Sequence, residues 1–351
     1  MKNFISGTGS AVPSIIKKNS AFAQASFVDE DANPFPIETT EIIEKFSSIT
    51  GIEERRYAPD YINSSDLGAE AATKAIKKAA IDKESIDYII VAHNFGDTPT
   101  NDVQSEPLPS LASKVKTILG IVNPNCVAYD LLFGCPGWVE GMIQANAFIN
   151  AGIAKRCLVI GAETLSRVID PVDRDSMIFA DGAGASIIEA SDGQAGIIAH
   201  KSVTYTSNNE IDMLYFGCSY NKSNSNKYIK MKGRKVYEFA LSHVPQAMKA
   251  CLDESGIEIE ELKKIFIHQA NMKMDEAIIK RFYRLYRTPA PDNVLPMNIQ
   301  SHGNSSVATI PTLYDQVLNN ELEAHELNKG DVVLFASVGA GMNINAITYR
   351  V

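Results

Sequence analysis

Three short segments hold the residues best suited to chemistry: F-G-C-P-G-W at 133–138, I-H-Q-A-N at 267–271 and H-G-N-S-S at 302–306. In the first, Cys135 stands between a glycine and a proline, directly after the apolar run D-L-L-F. A strand that enters a helix in this way sets the cysteine at the N-cap or just before it. Proline suits the first helical position because its missing N–H would be unpaired there anyway. The flanking glycines permit a sharp turn and close approach of a ligand. The helix N-terminus favours a thiolate, lowering a pKa that is normally about 8.5, and its free backbone N–H groups can receive an oxyanion. A thiol nucleophile for acyl transfer needs these features; a buried structural cysteine at a tight turn would show the same residues.

A cysteine nucleophile needs partners. His268 leaves the apolar segment I-F-I, and Asn304 follows a glycine at a helix start. The C-terminal ends of strands in α/β sheets are where catalytic groups gather. Cys135, His268 and Asn304, on three strand-to-helix junctions, could therefore converge at one sheet edge.

The elements that must position them alternate. Strand-like runs include Phe4–Thr8, Tyr88–Ala92, Cys126–Leu131, Cys157–Gly161, Ile197–Val203, Ile265–His268, Val332–Ser337 and Asn343–Arg350. Helical patterns fall at Thr39–Ser47, Ser65–Ala80, Leu108–Leu119, Val139–Ile149, Gly233–Ser255, Met272–Tyr286 and Ser305–Leu318. Val139–Ile149 is rich in small and apolar residues on all sides, which predicts a buried helix. Buried strands alternating with helices predict an α/β protein with a covered sheet. Two such runs suggest an internal duplication, with a break at the turn-rich S-D-G-Q-A-G of 191–196.

The composition, 45% hydrophobic and 21% charged over 351 residues, is that of a globular chain with a sizeable core. No apolar run reaches the roughly 18 residues that span a bilayer, and the N-terminus lacks the apolar stretch of a signal peptide. The expectation is a soluble cytoplasmic protein without a membrane partner. A net charge of −9 argues against nucleic-acid binding. Five cysteines with no C-x-x-C pair argue against a disulfide framework or a zinc site. The run 222–235 nevertheless holds Lys222, Lys227, Lys230, Lys232, Arg234 and Lys235 without an acid, a local patch suited to an acidic partner.

The three motifs in this order, with T-G-I-E-E-R-R at 50–56, D-P-V-D-R-D-S-M-I-F-A-D-G-A-G-A at 170–185 and S-V-G-A-G-M-N at 337–343, resemble the thiolase-fold condensing enzymes, and most closely ketoacyl-ACP synthase III. The resemblance covers nearly the whole chain. It implies an α/β, thiolase-like fold of duplicated αβαβα halves in five layers, with residues 1–192 carrying the nucleophilic cysteine and 193–351 carrying His and Asn, and a homodimer. It implies a decarboxylating acyltransferase of fatty-acid or related lipid or polyketide biosynthesis that needs no metal or other cofactor. Cys135 would take the acyl group from an acyl-CoA or acyl-ACP primer. His268 and Asn304 would stabilise the enolate formed from malonyl-ACP. The backbone N–H groups of Cys135 and Ala340 would form the oxyanion hole. Arg174 and Asn271 would contact substrate, and Lys273, Lys280 and Arg281 would bind acyl carrier protein.

Some positions differ from typical members. Lys45 stands where a tryptophan stacks on the adenine of coenzyme A, which favours a carrier-protein donor or a different acyl-CoA. Leu108, Val338 and Met342 stand where aromatic rings bound the acyl pocket, so a primer longer than acetyl is expected. Glu106 reads as an exposed loop acid. A specialised condensing enzyme making alkylresorcinol-, polyene- or quinolone-type precursors stays open, as does a Cys–His acyl hydrolase or transferase that forms no carbon–carbon bond. The intact Cys135, His268 and Asn304 set disfavours a non-catalytic subunit.

Overall fold

The computed structural model describes residues 2–191 and 193–351. Its strands in chain order are β1 (Lys2–Ala11), β2 (Ile15–Lys18), β3 (Glu54–Tyr57), β4 (Tyr88–His93), β5 (Val127–Leu132), β6 (Arg156–Thr164), β7 (Asp181–Ser191), β8 (Gly196–Thr204), β9 (Leu214–Cys218), β10 (Lys227–Met231), β11 (Leu262–Ile267), β12 (Val332–Gly339) and β13 (Asn343–Arg350). Its helices are α1 (Thr39–Thr50), α2 (Ser64–Ala79), α3 (Leu111–Ile118), α4 (Gly137–Asn150), α5 (Gly233–Ser255), α6 (Met272–Leu285), α7 (Ile299–His302) and α8 (Thr309–Leu318).

A five-stranded sheet runs β1-β7-β6-β4-β5, and a four-stranded sheet runs β11-β12-β13-β8. The first takes its strands from residues up to 191 and the second from residue 196 onward. The expected boundary between 192 and 193 falls at Asp192, which lies outside the described residues.

The buried clusters give the layers. Ala71, Ala72 and Ala75 of α2 and Val115 of α3 pack with Ile89, Leu158 and Ile187 on one face of the first sheet. Val244 and Met248 of α5 and Ile278 and Phe282 of α6 pack with Ile265, Leu334 and Ile344 on one face of the second. Trp138 and Met142 of α4 and Ile310 and Tyr314 of α8 meet Ile90 and Val159 of the first sheet and Phe266 and Phe335 of the second. Thus α4 and α8 form a middle layer between the sheets. A helix covered by two sheets needs apolar residues on both faces, and α4 supplies them with Trp138, Val139, Met142, Ile143 and Ile149, while Glu140, Gln144 and Asn146 are held by hydrogen bonds.

Three local differences from the sequence expectation have physical causes. The helix expected from Leu108 begins at Leu111, because the Ser110 hydroxyl caps it by accepting the Ser113 N–H at 3.2 Å. The helix expected from Ser305 begins at Thr309, because the Asn304 side chain takes the Ser306 N–H at 2.8 Å and Ser306 turns to φ +52°. The third is a hairpin of β9 and β10, two short strands around the polar stretch S-Y-N-K-S-N-S-N, whose periodicity is too brief to read. Lys230 of this hairpin does not belong to a basic surface. It is 1% exposed, and its Nζ lies 2.6 Å from Asp170 and 3.0 Å from Asp173. A buried ammonium requires such partners. Here they pin the hairpin to the 170–175 loop.

Among the described residues, no helix is long and apolar enough to cross a membrane.

Candidate active site

Cys135 lies at the end of the loop after β5, one residue before Pro136, the N-cap of α4. Gly134 makes the turn at φ +71°, and its carbonyl accepts the Gly137 N–H at 2.9 Å. The turn after β12 abuts this corner. A Cβ on Gly339 would stand 2.6 Å from the Cys135 nitrogen, and one on Gly134 would stand 3.1 Å from the Ala340 nitrogen. Only glycine lets the two backbones approach this closely. The N–H groups of Cys135 and Ala340 therefore belong to one corner of the site, beside the sulfur.

His268 follows β11, is 3% exposed, and is held by its own N–H to the Ala336 carbonyl at 2.9 Å. Burial pushes its imidazole down to about 4, with the Ser306 backbone pulling the other way. It is a neutral ring at physiological pH. Asn304 is fixed through its backbone to Ile178 and Ala180 at 3.0 and 2.8 Å. Its Oδ1 is taken by the Ser306 N–H, so its Nδ2 is the end left for a ligand. The histidine of H-G-N, His302, is structural: it meets the Ser301 hydroxyl at 2.8 Å and Gln316 at 3.0 Å.

The sulfur departs from the sequence expectation. Cys135 opens on a cavity, but the surrounding walls desolvate its thiol and push it up to about 11, with Glu163 adding to the rise and the Ser306 hydroxyl opposing it. Burial outweighs the helix terminus, and the resting group is a thiol.

The cavity at Cys135 holds about 370 Å³. Beyond the polar Asn94, Cys135 and Ser306, its walls are Phe95, Leu165, Phe179, Ile211, Leu214, Tyr215, Phe216 and Ile229, with Ala340 and Gly341 at the corner. Leu108, Val338 and Met342 are not among the residues of this chain that line it. Leu108 is 85% exposed. Val338 and Met342 are packed into the core beneath α5 and α6. Five of the apolar wall residues, Ile211, Leu214, Tyr215, Phe216 and Ile229, come from the β9–β10 hairpin and the segment before it, which the sequence reading missed. Their signal was the apolar L-Y-F at 214–216.

A second cavity of about 450 Å³ is lined by Lys45, Phe46, Arg174, Arg234, Asn271 and Met274, among others. Arg174 and Asn271 thus share a cavity, but both side chains are already engaged. The Arg174 guanidinium lies over the Phe35 ring, 4.6 Å from its centroid, and Asn271 caps α6 by accepting the Met274 N–H at 3.1 Å. Lys45 pairs with Glu41 at 2.7 Å. Lys273, Lys280 and Arg281 are exposed on α6; Arg281 also donates to the Leu241 carbonyl at 3.1 Å. Glu106 is an exposed loop acid paired with Lys114 at 2.5 Å.

Comparison with known proteins places these features in a wider group. The family model described as 3-Oxoacyl-[acyl-carrier-protein (ACP)] synthase III matches residues 129–206, and its C-terminal counterpart matches residues 252–351. A beta-ketoacyl-[acyl-carrier-protein] synthase III of Porphyra purpurea is 34% identical over 99% of this chain and 98% of its own. One from Vibrio vulnificus is 32% identical over the full length of both. Among solved structures, 3-oxoacyl-[acyl-carrier-protein] synthase III from Aquifex aeolicus superposes with a TM-score of 0.82 at 26% identity, covering 99% of this chain and 100% of that one.

Proposed function

The chain belongs to the 3-oxoacyl-[acyl-carrier-protein] synthase III family, and on that premise we propose that it performs a decarboxylating Claisen condensation at Cys135. The Cys135 sulfur attacks an acyl thioester, and the tetrahedral oxyanion is received by the N–H groups of Cys135 and Ala340. The donor thiol leaves with the cysteine proton. A malonyl thioester carried by acyl carrier protein then loses carbon dioxide. The resulting enolate oxygen is held by His268 and by Asn304 Nδ2, a role that requires the neutral imidazole with its proton on Nε2. The enolate carbon attacks the acyl-cysteine and the 3-oxoacyl thioester departs. The reading is carried by one observation: the Cys135 sulfur sits on the polar floor of an otherwise apolar cavity of about 370 Å³. All five cysteines are free, in keeping with work in the reducing cytoplasm.

This cavity favours a primer longer than acetyl, since each methylene buried contributes about 0.8 kcal/mol. An adenine at Arg174 would have to share or displace the Phe35 contact, so the donor handle is the basic surface of Lys273, Lys280 and Arg281, suited to an acidic carrier protein. A chain-length series from two to twelve carbons, offered on CoA and on acyl carrier protein at low and high salt, should show an optimum beyond two carbons and a carrier-protein preference that weakens with salt. A salt-independent optimum at acetyl-CoA would overturn this substrate assignment.

We also infer a homodimer. β5 is an edge strand of the first sheet with Val127 45% and Leu132 71% exposed. An apolar open edge invites pairing with another chain, and a second copy there would bury it and bring a loop bearing Leu108 toward the cavity. Light scattering should give twice the chain mass, and Val127→Lys with Leu132→Lys should give a monomer. A wild-type monomer at micromolar concentration would refute the dimer.

A further inference from the structure

Asn94 and Ser306 line the Cys135 cavity with the buried Glu163 behind them, and none of these three side chains has a part in the reaction as described above. Ser306 is 3% exposed, and its hydroxyl has one proton and two polar neighbours. Asn94 Nδ2 lies 2.9 Å away. An amide nitrogen has donors and no lone pair to offer, so the hydroxyl oxygen must accept from it. The hydroxyl's own proton is thereby turned to its other neighbour, the Cys135 sulfur, at 3.2 Å. Asn94 is held in this sense by Glu163, whose Oε1 accepts both the Asn94 backbone N–H, at 3.0 Å, and its Nδ2.

We propose that Ser306 is a further catalytic residue whose hydroxyl donates to the Cys135 sulfur and stabilises negative charge there, with Asn94 and Glu163 as positioning residues. The proposal rests on Cys135 being the acyl-carrying nucleophile. The sulfur bears charge twice in that reaction. In acylation its electron pair forms the bond to the acyl carbon, the donor carbon–sulfur bond breaks, and the departing donor thiolate takes the proton that Cys135 gave up. In condensation the enolate carbon bonds to the acyl carbon, the Cys135 carbon–sulfur bond breaks, and its pair returns to the sulfur, which is reprotonated from water. A donor fixed beforehand and excluded from bulk water lowers both barriers without having to reorganise.

Ser306→Ala tests this, since it removes the hydroxyl and keeps the N–H that holds Asn304. Ser306→Gly removes the same group and suits φ +52°, so it serves should the alanine variant fold poorly. The titratable groups of the site, Glu163 on β6 and His268 after β11, remain in every variant. In both variants, the rate of Cys135 alkylation by iodoacetamide at pH 7 should fall about tenfold, the equivalent of a one-unit rise in the thiol's pKa. Acyl transfer to Cys135 at pH 7 should fall about tenfold, as expected for a lost hydrogen bond to a charged group. Malonyl decarboxylation should fall less than threefold. Asn94→Leu, which leaves the hydroxyl free to turn, should lie between wild type and Ser306→Ala in the alkylation rate. The proposal fails if both serine variants alkylate and acylate within twofold of wild type, or if decarboxylation falls as far as acylation. Alkylation reads the sulfur directly, so this outcome is independent of whether Cys135 carries the acyl group. Failure of that premise would appear instead as wild-type protein that alkylates normally and never acylates.

Discussion

Replacing His268 or Asn304 by alanine should lower malonyl decarboxylation and condensation by on the order of 10²–10³ each, while acyl transfer onto Cys135 stays within a few-fold of wild type. The two steps put charge in different places. Acylation develops it on the sulfur and on an oxyanion beside the Cys135 and Ala340 N–H groups. Decarboxylation develops it on an enolate oxygen, which needs two side-chain donors at once. Removing one donor to such a centre costs on the order of 10²–10³ in rate. Asn304 is suited to this because its Oδ1 is tied to the Ser306 N–H. His268 is suited because burial keeps it neutral, pushed down to about 4, so no pH change between about 5 and 9 alters its donor. The measurements are release of carbon dioxide from malonyl thioester and mass-detected acylation of Cys135. Variants that fail to acylate but decarboxylate normally would reverse these roles. A Cys–His hydrolase would instead release free acid, and no 3-oxoacyl product would form in wild type.

The legible part of this site was its chain chemistry. G-C-P-G announces a strand-to-helix corner because proline and glycine fix backbone geometry locally, H-G-N announces another through its glycine, and I-F-I-H marks a third as the polar end of an apolar strand. The layering was legible through α4, whose small and apolar residues on more than one face suit a helix covered by both sheets. What was not legible depends on contacts made across the chain. Part of the pocket wall comes from Leu214, Tyr215, Phe216 and Ile229, on a hairpin that Lys230 anchors to Asp170 and Asp173. A lysine in a basic run gives no sign that it will be buried. Likewise Val338 and Met342 sit beside G-A-G in sequence, but α5 and α6 claim their side chains for the core. The state of the Cys135 thiol was misjudged for a related reason: the helix end is local and visible, whereas the walls around the sulfur arrive from Asn94 and Phe95 after β4, Leu165 after β6, the β9–β10 hairpin and Ser306.

That last balance leads to a pH dependence of large size. Alkylation of Cys135 should rise about tenfold per pH unit from pH 6 to about 8, and less steeply above. Burial, with Glu163 adding and the Ser306 hydroxyl opposing, lifts the thiol from 9.0 to about 11, a net of about 2.7 kcal/mol. A helix N-terminus returns roughly 0.3–1 kcal/mol, at most about 2 in a partly buried setting, so the neutral thiol remains the resting form. The nucleophile is the thiolate, and well below the pKa its fraction grows tenfold for each unit of pH, giving about 100-fold between pH 6 and 8. Glu163 then intervenes. Burial raises its carboxyl to about 8 despite the donors from Asn94. Above that pH it gains a negative charge, and a negative neighbour disfavours a second one on the sulfur. The lift that Glu163 gives the thiol, already counted in the value of about 11, is therefore missing below about pH 8 and grows in as pH rises, which flattens the profile. Glu163→Gln should remove the flattening and keep the tenfold slope to higher pH. Peptide mapping must separate Cys135 from the exposed Cys218, whereas Cys126, Cys157 and Cys251 are buried and should stay unlabelled. A rate independent of pH between 6 and 8 would mean that the resting enzyme already holds a thiolate, and that the terminus of α4 outweighs the walls around it.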